Sequence, residues 1–409
     1  MRAARPRLLP AALALAVAAL LAGCGKSAPE PRPSGGPARQ LAPVAPQGAV
    51  SVATRNTTRL GGPDAATDAA AVARAVYPGL TSASRPAAVV LVDERDWPAA
   101  LAASALAGAP TGAPVLYSEG STLPAVTRQT MEALHPLGAA ALGGVQVIRI
   151  GTSATPPDGY LTRSLPAAGP AVTAAAIQRL AQSAGAGAPR QVIVVPANAP
   201  RALQMPAAGL SAESGAPILF VTRARVPAPT AAVLARLHRP SIYVIDSSLL
   251  GRLVLSELGR FGPVTEITAT GAPAEGESPA ANAIAIARFT DGTFGWGVKE
   301  PGHGLVFVNS ARPLDAPASA PLSATGDYGP LLVLESATRI PPALATYLGD
   351  IQPAYTAAPN FRPVRGVYNH GWLIGDERAI SAVTQAEIDS LLQISPRKGS
   401  EEAAVTQSE

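Results

Sequence analysis

The chain has 409 residues, too many for one hydrophobic core and enough for about three domains of common size. Its 32 basic and 28 acidic residues sum to +4, but Arg2, Arg5 and Arg7 fall in the first 23 residues; the remainder carries 29 against 28, and bulk charge gives no reason to expect a nucleic-acid partner. A single cysteine excludes an intramolecular disulfide framework, and the apolar, Ala- and Pro-rich composition suits a folded α/β protein better than a disordered one.

The chain begins with a positive segment, the apolar run Leu8 to Leu21, and the small residues Leu21-Ala22-Gly23 ahead of Cys24. Pro10 interrupts that run, which falls short of the roughly 20 apolar residues of a spanning helix. The stretch resembles a bacterial lipoprotein signal. That resemblance implies cleavage after residue 23, a diacylglycerol on the Cys24 thiol, and a protein anchored to the outer face of the cell membrane. Residues 24–49 follow as a Pro-rich linker without apolar periodicity, expected to be extended and PPII-biased.

The first unit, residues 50–160, alternates strand and helix. Val50 to Thr54 is a candidate strand, and Asp64 to Tyr77 has helical spacing through Ala69, Val72, Ala73 and Val76. Ala88 to Val92 is an uninterrupted apolar run of the kind buried on both faces of a parallel sheet. A helix over Trp97 to Leu106, a strand over Val115 to Tyr117, a helix over Leu123 to Leu134 and a strand over Val145 to Ile150 complete it. The second unit, residues 161–262, repeats this order: adding 103 carries Val89–Val92 onto Val192–Val195, Pro114 onto Pro217, Pro124 onto Pro227 and His135 onto His238. The third, residues 263–395, follows at an offset of 216, which carries Pro114 onto Pro330, and its last strand, Gly371 to Ile374, precedes an amphipathic helix through Val383, Ile388 and Leu392. Residues 396–409 read as a polar, disordered tail.

One pattern marks the units. Pro114 with Leu116, Pro217 with Leu219, and Pro330 with Leu332 each open a short apolar strand, and Pro124, Pro227 and Pro341 each open the next helix. Proline cannot donate to a sheet ladder, so it suits the first residue of a strand, and it fits helix position N1, where its missing N–H has no intrahelical partner anyway. The alternation predicts an α/β fold of tandem parallel-sheet units.

The series of buried strand, Ala-Leu-rich helix, Pro-apolar strand, helix, and a strand ending Ile374-Gly375 before Ala379-Ile380-Ser381 resembles the cell wall-binding repeat type 2 family, which commonly occurs as three copies. The resemblance implies three Rossmann-like or flavodoxin-like modules, packed as a pseudo-threefold ring with the Pro-Leu-Leu segments near the interfaces, that attach noncovalently to anionic wall polymer. The family's opening motif is partly kept as Arg59-Leu60-Gly61-Gly62-Pro63-Asp64 with Thr67, but its second Arg is Ala65 here. The hydroxyl expected after Pro-Leu-Leu is Ser118 in the first unit and is replaced by Val221 and Leu334 in the others.

Catalytic signals are weak. His135 and His238 sit just past helices, where they complement the dipole, and His303 and His370 read as loop residues without other metal ligands at suitable spacing. Asp93-Glu94-Arg95-Asp96 follows a strand end, where α/β sheets place ligands, but reads as a solvated loop with a helix N-cap. No nucleophile elbow or phosphate loop occurs. Arg223, Arg225 and Arg339, in the turns after the repeated strand, are the candidates for polymer phosphates, with Ser118 beside them. The reading is therefore a non-enzymatic envelope lipoprotein that binds anionic cell-wall polymer, uses no cofactor or metal, and is monomeric with internal pseudo-symmetry. A solute-binding lipoprotein and an envelope scaffold are the alternatives.

Overall fold

Unbroken apolar runs become central strands because only a two-sided burial removes every side chain from water. In the computed structural model, which describes residues 48–268, 278–324, 328–355 and 368–396, Val89 to Val92 are fully buried, as are Val192 to Val195 and Leu305 to Val308. Each such side chain contributes about 1.5–3 kcal/mol of transfer free energy. Cys24 and the tail beyond 396 lie outside the described residues.

The hairpin β1 (Val50–Ala53) and β2 (Thr57–Gly61) leads into α1 (Ala65–Val76), β3 (Val89–Asp93), α2 (Trp97–Ala103), β4 (Val115–Ser118), α3 (Ala125–Leu134) and β5 (Val147–Ile150). The second repeat comprises β6 (Thr162–Leu165), α4 (Pro170–Ala181), β7 (Gln191–Pro196), α5 (Arg201–Gln204), α6 (Pro206–Ser214), β8 (Ile218–Val221), α7 (Ala228–Arg236), β9 (Ser241–Ile245) and α8 (Arg252–Gly259). The third comprises β10 (Val264–Ile267), α9 (Pro279–Arg288), β11 (Gly304–Asn309), α10 (Asp315–Ala324), β12 (Tyr328–Leu334), α11 (Pro342–Asp350), β13 (Ala354–Tyr355), β14 (His370–Ile374), α12 (Ala382–Leu392) and β15 (Ser395–Pro396).

The strands form three parallel sheets, ordered β4-β3-β5-β6, β8-β7-β9-β10 and β12-β11-β14-β2, the last extended by β1 running antiparallel; β13 and β15 pair separately. The ladders repeat at the offsets visible in the sequence: Val90 pairs with Val115, Ile193 with Ile218 and Val306 with Leu331. Repeats and sheets are nevertheless offset by one strand. β6 completes the first sheet although α4 after it belongs to the second repeat, β10 completes the second, and β2 completes the third. The registers agree, because Ile150, Ile245 and Ile374 face Leu165, Ile267 and Leu60. Strand exchange therefore passes from first to second to third repeat and returns to the first.

The packing follows the same succession. α2 lies against β8, α6 against β12 and α10 against β4, so each Pro-opened strand sits at an interface between repeats. Tyr117 Oη donates to the Leu314 carbonyl (2.7 Å), Trp97 Nε1 to Gln204 Oε1 (2.8 Å) and Asn282 Nδ2 to the Leu203 carbonyl (2.6 Å), one bond for each pair of repeats. The corresponding helical segments meet through Ala107, Ala212 and Ala320. Small residues permit that approach: a Cβ on Gly108 would stand 2.3 Å from the Ala212 carbonyl oxygen.

Two local expectations are corrected. Pro124, Pro227 and Pro341 are N-cap residues with extended ψ of 146°, 147° and 137°, so each helix begins one residue later than N1 placement predicts. The cap position also has no intrahelical N–H bond to lose, which is why proline fits it. His370 opens β14 instead of lying in a loop, with Nε2 3.1 Å from Thr58 Oγ1.

Candidate functional site

Parallel sheets bring their loops together beyond the C-terminal strand ends, where such folds place ligands. This chain has three equivalent crests, and their chemistry differs.

The first crest is acidic and closed by its own contacts. Asp93 accepts from the Arg95 amide and Nε (3.0 Å each) and from its Nη2 (2.7 Å), which holds the Asp93 carboxyl below its usual range. Asp96 caps α2 through the Ala99 amide, as its position suggests. Burial, with Glu119, Asp93 and Asp64 nearby, pushes the Glu94 carboxyl up. Ser118 is a correction to the expected polymer contact. It is fully buried, and its hydroxyl shares a 2.7 Å bond with Thr152 Oγ1, which in turn donates to the Gly120 carbonyl. The hydroxyl ties β4 to the loop after β5 and does not reach the surface.

The second crest is cationic and open. Thr222 to Arg225 form a tight turn, in which the Thr222 amide donates to the Arg225 carbonyl and the Arg225 amide to Thr222 Oγ1, both at 3.1 Å. This closure uses backbone and hydroxyl only, leaving the Arg223 and Arg225 side chains exposed. The Gly251 amide donates to the Arg223 carbonyl (3.2 Å), which joins this turn to the start of α8 and its exposed Arg252. Arg201, exposed at the first turn of α5, follows the short loop after β7. None of the four has an ion pair among the described residues. The carboxylates here are occupied or buried: Glu257 accepts from the Val226 amide, and buried Asp246, left-handed at φ 56°, accepts from Ser248 Oγ. Burial raises the Asp246 carboxyl.

The third crest spends its charge internally. Buried Arg59 donates to Gln385 Oε1 (3.0 Å) and to the carbonyls of Gly375, Asp376 and Ile380 (3.1, 2.8 and 2.6 Å). The residue that opens the repeat motif thus fastens β2 to the third sheet and is not a surface ligand. Arg312 contacts Asp68 on α1, Asp315 (3.4 Å) and Asp376 (3.3 Å), and donates to the Gly62 carbonyl. Burial pushes the Asp68 carboxyl up to about 6 against the pull of Arg312, and raises that of Asp315 well above its ordinary value. Glu335 accepts from the Ala280 amide, so it caps α9. Arg339 is exposed in the turn before α11, with no bond to Arg223 or Arg225.

The structure therefore brings Arg223 and Arg225 together, leaves Arg339 on another crest, and adds Arg201 and Arg252, which the repeated turn could not reveal because they lie in first turns of helices. A separate groove of about 520 Å3 runs between β10, α9 and α11, but its Arg288 already pairs with Asp350 and covers the Tyr347 ring.

Three repeated parallel α/β units joined by exchanged strands define the class of this protein; no group of three potential metal-ligating side chains and no helix long and apolar enough to cross a membrane occurs among the described residues. Within it, residues 59–152, from β2 to the crest residue Thr152, match Cell wall binding domain 2 (CWB2). Among solved structures, the chain is similar to Cwp8 from Clostridium difficile, with TM-score 0.61 and 16% identity over 83% of this chain and 52% of that one. It is likewise similar to Cwp6 from the same organism, with TM-score 0.64 and 16% identity over 84% of this chain and 51% of that one. The likeness is one of fold, and the chain spans about half the length of each. A search of curated proteins gives no sequence match.

Proposed function

We propose that this protein is a non-catalytic envelope lipoprotein that holds on to an anionic cell-wall polymer, anchored to the membrane by a lipid on Cys24. The match of residues 59–152 to a cell wall binding domain carries this reading. The second crest supplies the chemistry: Arg201, Arg223, Arg225 and Arg252 are exposed, stand in the connections that follow the neighbouring strands β7, β8 and β9, and are not neutralised within the described chain. Guanidinium forks suit phosphate and carboxylate bidentately. Arg339 on the third crest would extend the contact along a chain-like ligand, and Ser118 takes no part.

The full-length protein in detergent should cosediment with native sacculi and lose that binding once the anionic polymers are stripped. Equal sedimentation with stripped material would refute polymer recognition. Cys24→Ala should move the protein from the membrane to the soluble fraction, and unchanged retention would remove the lipid anchor from the proposal.

A further inference from the structure

Among the described residues, every edge of the three large sheets is guarded except one. β4, β8 and β12 are fed by or contain Pro114, Pro217 and Pro330 and lie under helices of a neighbouring repeat. β6 carries exposed Arg163 and β10 exposed Glu266, charges that discourage strand addition. β1 is the edge beyond β2, and its sequence Val50-Ser51-Val52-Ala53 has no charge and no proline. All four residues are exposed, with Val50 at 40% and Val52 at 50%.

We infer that β1 is a self-pairing edge, through which two copies of this chain join antiparallel and fuse their third sheets. The ladder geometry selects the register. Val50 and Val52 face Gly61 and Arg59 in β2, in phase with the bond from the Thr54 amide to the Thr57 carbonyl, so the amides of 50, 52 and 54 point inward. Alternation then turns the amides of Ser51 and Ala53 outward. Pairing Ser51 with Ala53 of a second copy, and the reverse, satisfies those outward groups and sets Val52 opposite its own counterpart on the two-fold axis. That central pair is of the non-hydrogen-bonded type, in which side chains approach most closely. Each copy also brings its Val50 against Thr54 of the other, so the exposed valines are covered by the same act.

A second copy is the occupant because of where β1 stands in the chain. Only residues 25–49 separate it from Cys24. This part rests on the lipid-anchor reading: tethering to one membrane confines the copies to a thin layer and raises their effective concentration. The polymer-binding Arg side chains lie on the second sheet, so pairing through the third leaves them available and doubles them within one assembly.

The test uses full-length protein in membranes. Val52→Cys should cross-link to its counterpart under a mild oxidant about tenfold faster than the exposed control Leu80→Cys, because pairing holds two thiols at disulfide distance. Adding Ala53→Pro removes an outward amide while sparing the β2 ladder and should return the rate to that of the control. Val52→Lys, which places like charges on the axis, should abolish the dimer seen by single-molecule photobleaching without changing the thermal midpoint. A Val52→Cys rate equal to the Leu80→Cys rate, or one indifferent to Ala53→Pro, overturns the inference. Membrane fractionation is read in parallel. If the protein is not retained there, the anchor reading fails by itself, and the same comparison of Val52→Cys with Leu80→Cys in concentrated soluble protein decides the pairing.

Discussion

The second and third crests use the same side chain in opposite ways. On the third, Arg59 and Arg312 are enclosed and satisfied by carbonyls and carboxylates drawn from β2, α1 and the loop after β14. On the second, Arg201, Arg223, Arg225 and Arg252 face solvent without a partner among the described residues. The difference follows from connectivity. β5 leads into β6 and β9 into β10 along the chain, but no peptide segment carries β14 into β2. Guanidinium bonds hold that junction instead, whereas the second sheet receives its last strand covalently and keeps its arginines free. The fourth residue after each first-helix N-cap makes the same point: Asp68 beside Arg312, but Thr173 and Asn282 in the other repeats, all buried.

Three measurements break or sharpen this contrast. Arg312→Ala leaves Asp68, Asp315 and Asp376 without their shared cation and should lower unfolding free energy by about 3 kcal/mol or more at neutral pH, read by urea titration. Sacculus binding by the folded fraction should be unaffected, and a loss of binding without a loss of stability would reverse the roles of the two crests. Replacing Arg201, Arg223, Arg225 and Arg252 together by Ala should do the opposite, weakening sacculus binding about a hundredfold at low salt and flattening its salt dependence, with the urea midpoint unmoved.

The smallest expected effect is that of pH. Asp68 is raised from 3.8 to about 6 in the folded protein and Asp315 is raised further, so the folded state holds protons that the unfolded chain has released. Their stabilisation is full below the unfolded value near 4 and is lost as pH rises through about 6 for Asp68. Asp93, Asp291 and Asp376 are lowered and act in the opposite sense at more acidic pH, and His303 and His370, which burial lowers from 6.5, offset part of the gain within the window itself. Between pH 8 and pH 5.5 stability should therefore increase, on the order of 1–3 kcal/mol. Asp68→Asn, which copies Asn282 of the third repeat, should flatten that slope; a slope that persists would assign it to other groups.

Central strands are legible in the sequence because two-sided burial demands an unbroken apolar run, as in Val89 to Val92, and the proline pattern fixes their register. β2, β6 and β10 do not read as strands. Thr-Arg-Ser-Leu over β6 is exposed at its two middle residues and only half-buried at its ends, without the alternation that marks a strand, and the pattern of β2 includes an arginine whose partners lie more than 300 residues away. The same distance hides the role of Arg59. Ser118 reads as a surface hydroxyl because its partner, Thr152, enters from the loop after β5, 34 residues away. Arg223 and Arg225 announce themselves by recurring position, whereas Arg201 and Arg252 join them only once the loops after β7, β8 and β9 are seen side by side.

The return of β2 to the last sheet also orders events in time. Arg59 meets Gly375 across 316 residues, one of the longest loop closures the chain makes, and such closures slow folding more than they weaken the product. The β1–β2 hairpin, the first among the described strands, is then among the last to be docked. A chain emerging on the outer side of the membrane would hold this hairpin in reserve while the first two sheets assemble from neighbouring segments. Its seating would report that β14 and the start of α12 have arrived.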